Sequence, residues 1–228
     1  AFTCWCSLPC DIRRHRLGDI AFYKFSSSFF IRTANFAHHD NRFGFRVCLK
    51  HLQAFDKIQA FNRVAAYAHA IDRRRWGMME RLFHPDATFR FGTIEGDWRS
   101  FVEQARAVID PCLATQHQLG QTIFGFDGPD ICHTETYMTA MHTIPPGYPL
   151  AAVFPDKGVI YSAIVAGRYV DRFEKRGGEW RIAQRTGLYD WREFRVVEGV
   201  DLSDTPEGAA GYHDERDPST AAVRRWLG

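Results

Sequence analysis

The sequence predicts an α+β domain, with its helices first and its strands afterwards. Three observations point to it. From Asp56 to about Asp72 apolar residues recur at helical spacing, and WRSFVEQARAVIDPCLA carries a second, capped helical pattern. From Thr115 to Tyr189 the pattern changes to long strand runs, with Asp127-Gly128-Pro129 and Gly177-Gly178 as turns between them. Runs joined by such short turns pair as antiparallel hairpins.

Ahead of this orderly region lies a segment of different composition. Residues 1–50 hold eight Lys/Arg against three Asp/Glu, whereas the remainder holds 21 against 24. The run FYKFSSSFFIRTANF follows neither a period of 2 nor one of 3.6. Residues 1–50 therefore read as an extension, disordered or foreign to the native protein. Their Arg, Ser and Phe content faintly resembles a transit peptide, but no continuous apolar core of a secretory signal is present. Cys4, Cys6 and Cys10 form a Cys-x-Cys-x3-Cys cluster, yet neither they nor Cys48 meet a second pair at zinc-finger spacing, so no metal is expected there. Cys112 and Cys132 read as small buried hydrophobes of a reducing compartment, which places the protein in the cytoplasm.

Composition excludes several classes. At 228 residues and 45% hydrophobic the chain can build one good core, and no stretch approaches the roughly 18 apolar residues of a membrane span. A net charge of +2 argues against a dedicated nucleic-acid surface. No Gly-rich phosphate loop or metal-ligand set is evident, so no cofactor is expected.

The first helix, DKIQAFNRVAAYAHAID, places Ile58, Phe61, Val64, Ala65, Ala68 and Ile71 on one arc, with Tyr67 at its edge. Asp72 falls inside that arc. A carboxylate on a core-facing surface is costly unless it is paired, so either the helix has ended and Asp72 opens a polar turn with Arg73, Arg74 and Arg75, or it has a buried partner. After it, RRWGMMERLF predicts a short second helix with Trp76, Met79, Leu82 and Phe83 at helical spacing, and ATFRFG a short strand. The third helix starts with Ser100 as N-cap and Glu103 three residues on, and ends near Pro111.

Four strands follow: Thr115 to Phe126, Asp130 to Thr143, Val159 to Glu174 and Glu179 to Tyr189. Strict alternation in the first puts His117, Leu119, Gln121 and Ile123 on one face. His117 thus sits among aliphatic residues, either as a satisfied core histidine or as the partner of Asp72, which would fix its tautomer and raise its basicity. His142, on a face with Met138 and Ala140, reads as packing or as a second pocket histidine. Arg185 alternates with Arg181 and Ala183, opposite Trp180 and Ile182, so a β-bulge is needed if Trp180 and Arg185 both point inward. The connection IPPGYPLAAVFPDKG, with four of the ten prolines, reads as a surface excursion or a lid. Residues 198–228 form a polar tail, more helical at AAVRRWLG, placed to pack on a neighbour.

Tyr67-x4-Asp72-x3-Trp76, then LFHPDATF, then His117, then GRYVDRFEKRGGEWRIAQR with Asp190-Trp191, together resemble the SnoaL-like branch of the nuclear transport factor 2-like superfamily. The tail GYHDERDPS is similar to tails of that branch. The resemblance covers residues 54 to 195 and gives the domain limits 51–197. It implies a cone-shaped fold, three helices against a curved antiparallel sheet that encloses a pocket. It also implies an Asp-His dyad, Asp72 with His117, like that of scytalone dehydratase, bile acid dehydratase and hexachlorocyclohexane dehydrochlorinase. Tyr67 matches a tyrosine of the bile acid dehydratase, where the dehydrochlorinase has a lysine, and Arg185 matches an arginine that those enzymes use near the substrate. Trp76, Leu119, His142, Tyr169 and Trp191 become pocket wall.

The expected function is a cofactor-independent lyase or isomerase, dehydratase-like, acting on an apolar and cyclic small molecule within a homo-oligomer, trimer or dimer. Two alternatives use the same fold without chemistry: the small subunit of a ring-hydroxylating dioxygenase, and a small-ligand-binding module.

Overall fold

The computed structural model describes residues 21–25, 28–32, 42–197, 205–206, 209–214 and 216–227, with side chains from residue 52 onward apart from a few in the last helix. Cys4, Cys6, Cys10 and the side chain of Cys48 lie outside the described residues. Contacts divide the chain into two compact units, Ala1–Lys50 and His51–Gly228. The first unit contains an antiparallel hairpin of β1 (Ala21–Phe25) and β2 (Ser28–Arg32).

Helix α1 runs from Arg42 to Asp72, so it starts 14 residues before the predicted Asp56 and ends at the predicted residue. Its buried side is rotated from the predicted arc. Asp56, Ala60, Val64, Tyr67 and Ile71 face the sheet, while Ile58 is 58% exposed. Polar bonding and small residues decide this. Asp56 accepts the indole N–H of Trp180 at 2.7 Å and Lys175 Nζ at 3.1 Å, which fixes the rotation of the helix at that point. Ala60, Val64 and Ala68 then allow close approach, and Tyr67 comes to the middle of the buried face.

The predicted second helix is a 3₁₀ turn, Trp76–Met78, followed by one turn of α2, Met79–Leu82. Strand β3 (Phe83–Phe91) then pairs with a strand the sequence did not signal, β4 (Ile94–Asp97). Helix α3 spans Trp98–Ile109, and its N-cap is Asp97 and not Ser100. The Asp97 carboxylate accepts the amides of Arg99 and Ser100 and the Ser100 hydroxyl. Starting three residues earlier brings Trp98 into the core, stacked on Phe83 at 5.5 Å, and Phe101 onto Phe89.

Strands β5 (Ala114–Phe126), β6 (Ile131–Ile144), β7 (Tyr161–Arg176) and β8 (Glu179–Val196) form successive antiparallel pairs. The order in the sheet is β4-β3-β8-β7-β6-β5. The sheet is mixed and not wholly antiparallel, because β3 runs parallel to β8. No turn links these two strands, so no local signal in the sequence encodes their pairing. Helices followed by a curved mixed sheet are the α+β architecture of the cone fold. Residues 220–227 form helix α4. No described helix is long and apolar enough to cross a membrane.

Candidate active site

Register defines two faces of the sheet. His117 pairs with Ala140, Ala140 with Val165, and Thr115 with His142, all on the face that carries the core. Asp72 is the last residue of α1, and its carboxylate reaches this face. Its Oδ2 accepts the backbone N–H of His117 at 2.7 Å, and its Oδ1 lies 2.7 Å from Nδ1 of the same residue. A carboxylate only accepts, so Nδ1 carries the proton and Nε2 holds the lone pair. Among the described residues Nε2 has no hydrogen-bond partner.

Both side chains are nearly enclosed, His117 at 7% and Asp72 at 10% exposure. Burial by itself would raise the Asp72 pKa. The bonds and charge of His117 outweigh it and hold the carboxyl below its ordinary value.

His142 completes a histidine pair, its ring edge-on to His117 with centroids 5.7 Å apart. Burial pushes its pKa from 6.5 down to about 3, with the neighbouring His117 adding to the effect, so this ring is neutral. Its Nδ1 donates a long bond, 3.4 Å, to the carbonyl of Ala163. The Pro-rich connection packs here: Phe154 lies 5.0 Å from the His142 ring, and Tyr148 anchors the segment to α3 by donating to the carbonyl of Val108 at 2.7 Å. Both are buried, so the connection is a seated part of the wall.

Tyr67 and Arg185 belong to a second buried cluster. The Arg185 guanidinium lies between the rings of Tyr67 and Tyr169, 4.1 and 4.3 Å from their centroids. Asp171 grips it with two bonds of 2.7 Å, and both partners are fully buried. Burial opposes the charge of Arg185, but Asp171 more than restores it and raises the pKa. Burial likewise pushes the Tyr67 hydroxyl up to about 12.

Sequence reasoning missed Asp171, although the signal that exposed Asp72 was available. Asp171 alternates with Tyr169 and Phe173 on an apolar face. The bulge required to turn Trp180 and Arg185 inward together is present: Phe173 pairs with Ile182 but Arg172 with Gln184, leaving Ala183 as the extra residue.

No hydrogen bond or ring contact links Arg185 to His117 or Asp72 among the described residues. Their layers are six residues apart on β6, Ala140 against Thr134, roughly 20 Å of extended strand before curvature. Tyr169 is nearer the dyad, and the Asp72 charge contributes to raising its pKa, after burial, Tyr67 and Asp171.

The remaining predicted wall residues divide. Leu119, opposite Met138, shares the His117 face and packs on the core. Trp76 sits in the 3₁₀ turn, partly buried, and its indole donates to Asp110 at 3.1 Å. Trp191 does not share the site. It pairs with Ala166, on the opposite face of the sheet, and is 52% exposed there. With Gln118, Tyr137, Thr139 and Asp190 it lines a groove of about 370 Å³. The cause is a second bulge in β8, at Asp190, which reverses the alternation just before Trp191. Among the described residues no three His, Cys, Asp or Glu side chains converge to hold a metal ion.

Comparison with known proteins agrees with this architecture. The SnoaL-like domain model matches residues 51–186. No curated protein matches the sequence. Among solved structures, a protein of Novosphingobium aromaticivorans provisionally assigned as a scytalone dehydratase superposes with a TM-score of 0.54 at 14% identity, over 69% of this chain and 99% of that one. A type 2 hexachlorocyclohexane dehydrochlorinase gives a TM-score of 0.54 at 16% identity, over 70% and 99%. The Kfla4162 protein of Kribbella flavida gives 0.52 at 18%, over 62% and 95%. Such identities speak for the fold alone. Matched by the family model over more than half its length, the chain belongs to the SnoaL-like domain family of the nuclear transport factor 2-like superfamily.

Proposed function

We propose that this protein is a cofactor-independent lyase or isomerase that eliminates a small group from an apolar, cyclic molecule, with His117 as general base and Asp72 as its orienting acid. One observation carries the reading. The Asp72 carboxylate takes both N–H groups that His117 can offer it, which leaves the Nε2 lone pair as the free end of a fixed ring. A core histidine has no need of that arrangement.

In the proposed step Nε2 takes a proton from substrate carbon, the C–H electrons form the new double bond, and the leaving group departs with its own bonding pair. The imidazolium that forms is stabilised by Asp72. Tyr67 stays protonated at neutral pH and serves as donor to a carbonyl or leaving oxygen. Arg185 is bound to Asp171 beneath two tyrosines, so its contribution is a fixed positive field behind Tyr67. Neutral His142 and Phe154 form wall beside the base. Two structural neighbours named for dehydratase and dehydrochlorinase chemistry support this reaction class.

The test is a panel of cyclic β-hydroxy ketones and halogenated cyclohexanes, followed by mass for loss of water or hydrogen halide. We expect His117→Ala to lower turnover by about 10²- to 10⁴-fold with unchanged circular dichroism. Turnover that survives in this variant would remove the base from the mechanism.

A further inference from the structure

We infer that His213 is a positioning residue for the Asp72–His117 pair, seated by the C-terminal tail on the main-chain carbonyl from which the orienting carboxylate projects. This rests on the catalytic reading for its consequence but not for its geometry.

Helix α1 ends in a way that leaves one carbonyl over. Arg74 takes the left-handed conformation, with φ of 53°. The amide of Arg75 bonds to the Ala70 carbonyl at 2.7 Å and that of Arg74 to Ile71 at 3.1 Å, a Schellman closure with Arg74 just beyond the cap. Arg73 donates to His69 at 2.9 Å. The Asp72 carbonyl receives no backbone donor among the described residues, as expected for the last turn of a helix. His213 fills this place, its Nδ1 2.6 Å from that oxygen. A carbonyl only accepts, so the imidazole donates. Asp72 is then held at both ends, by His117 on the carboxylate and by His213 on the carbonyl.

The tail is built to keep the imidazole there. Asp217 is 5% exposed, accepts the amides of Tyr212 and Ser219 at 2.9 Å each, and lies 3.8 Å from Arg73 Nη1. Arg75 donates to the Asp214 carbonyl and the Thr220 hydroxyl. The consecutive arginines after Asp72 thus bind the tail, which lies on its own chain's α1. Helix ends are where local opening costs least, and a displacement of about 1 Å at a catalytic group can cost roughly 10²-fold in rate. A carboxylate on the final helical residue needs such an anchor.

The experiment uses the full chain labelled with ¹⁵N and reads two signals of the pair: the downfield Nδ1–H proton of His117, and exchange of the His117 backbone N–H. In His213→Ala the downfield proton should broaden or vanish and the amide should exchange roughly tenfold faster or more, the effect of one lost hydrogen bond. His213→Asn, whose side-chain N–H can reach the same carbonyl, should restore most of both. Asp217→Asn, which loosens the tail without touching Asp72, should reproduce the Ala result. Amides of β6 and β7 should keep their protection in all three variants.

Retention of both wild-type signals in His213→Ala would overturn the inference, as would equal loss in His213→Asn and His213→Ala. The outcomes separate from those of the proposed reaction. If no panel compound turns over but the His117 signals follow His213, positioning stands and catalysis falls. If turnover depends on His117 while the signals ignore His213, the reverse holds.

Discussion

At the scale of single residues, Asp72 carries two bonds that respond differently to substitution. Asp72→Asn keeps one acceptor, so the His117 amide can remain bonded, but an amide nitrogen facing Nδ1 favours the wrong tautomer. We expect a loss of about 10²- to 10⁴-fold in turnover with little change in stability. Asp72→Ala strands the buried His117 N–H and should also cost about 1–3 kcal/mol in denaturant unfolding. Equal stability of Asn and Ala variants would contradict the two-bond geometry.

His142 gives a separate test in pH. Unfolded, it binds a proton with an ordinary midpoint of 6.5, and folded near 3. Between those values the unfolded state binds more protons, so stability rises as the pH rises, and is lost as it falls, by at most about 1.4 kcal/mol per unit. His142→Phe should flatten that limb of the stability curve and leave the region above neutrality unchanged. The loss from Asp72, whose carboxyl pKa is lowered, lies at more acid pH, below the ordinary carboxylate range, and stays separable. The contact between Asp72 and His117 was legible because a charge on an apolar stripe has few explanations. His213 was not, since nothing in the pattern of the tail marks the carbonyl it meets.

At the scale of elements, the strands were legible by alternation until a bulge reset it. Among the described residues bulges do so at Ala183 and Asp190 in β8 and at Gly120-Gln121 in β5, where Leu119 pairs with Met138 but Thr122 with Thr136. The last explains why Leu119 faces inward with His117 while Ile123, assigned to the same face, is 65% exposed. Bulges bend a sheet and increase its local twist, so they belong to its curvature, and a single sequence contains no periodic trace of them. Glycines mark the tight places. A Cβ on Gly167 would overlap the Leu188 carbonyl next to the Asp190 bulge, and one on Gly187 would enter the Phe91 ring. The first obstacle is backbone and cannot turn aside. Gly167→Ala should therefore destabilise by about 1–3 kcal/mol or more, and Gly187→Ala by less if Phe91 can change rotamer. Thermal unfolding of the two variants checks the order.

At the scale of the whole molecule, the Asp171–Arg185 pair joins β7 to β8 in register and lies under Tyr67 of α1 and Tyr169, so it ties helix to sheet. Such a pair is costly to desolvate, and its removal as a unit by apolar residues is often neutral, whereas removal of one partner costs about 3–5 kcal/mol. We expect Asp171→Ala to unfold at markedly lower urea. The double replacement Asp171→Leu with Arg185→Leu should regain most of that loss, because no charge is left stranded. The double variant then decides what the pair is for. If it folds and still turns over substrate at the wild-type rate, Arg185 serves packing alone. If it folds but loses turnover while the downfield His117 proton persists, the positive charge behind Tyr67 contributes to the chemistry, and this fold has placed a fully buried charge where developing negative charge can use it.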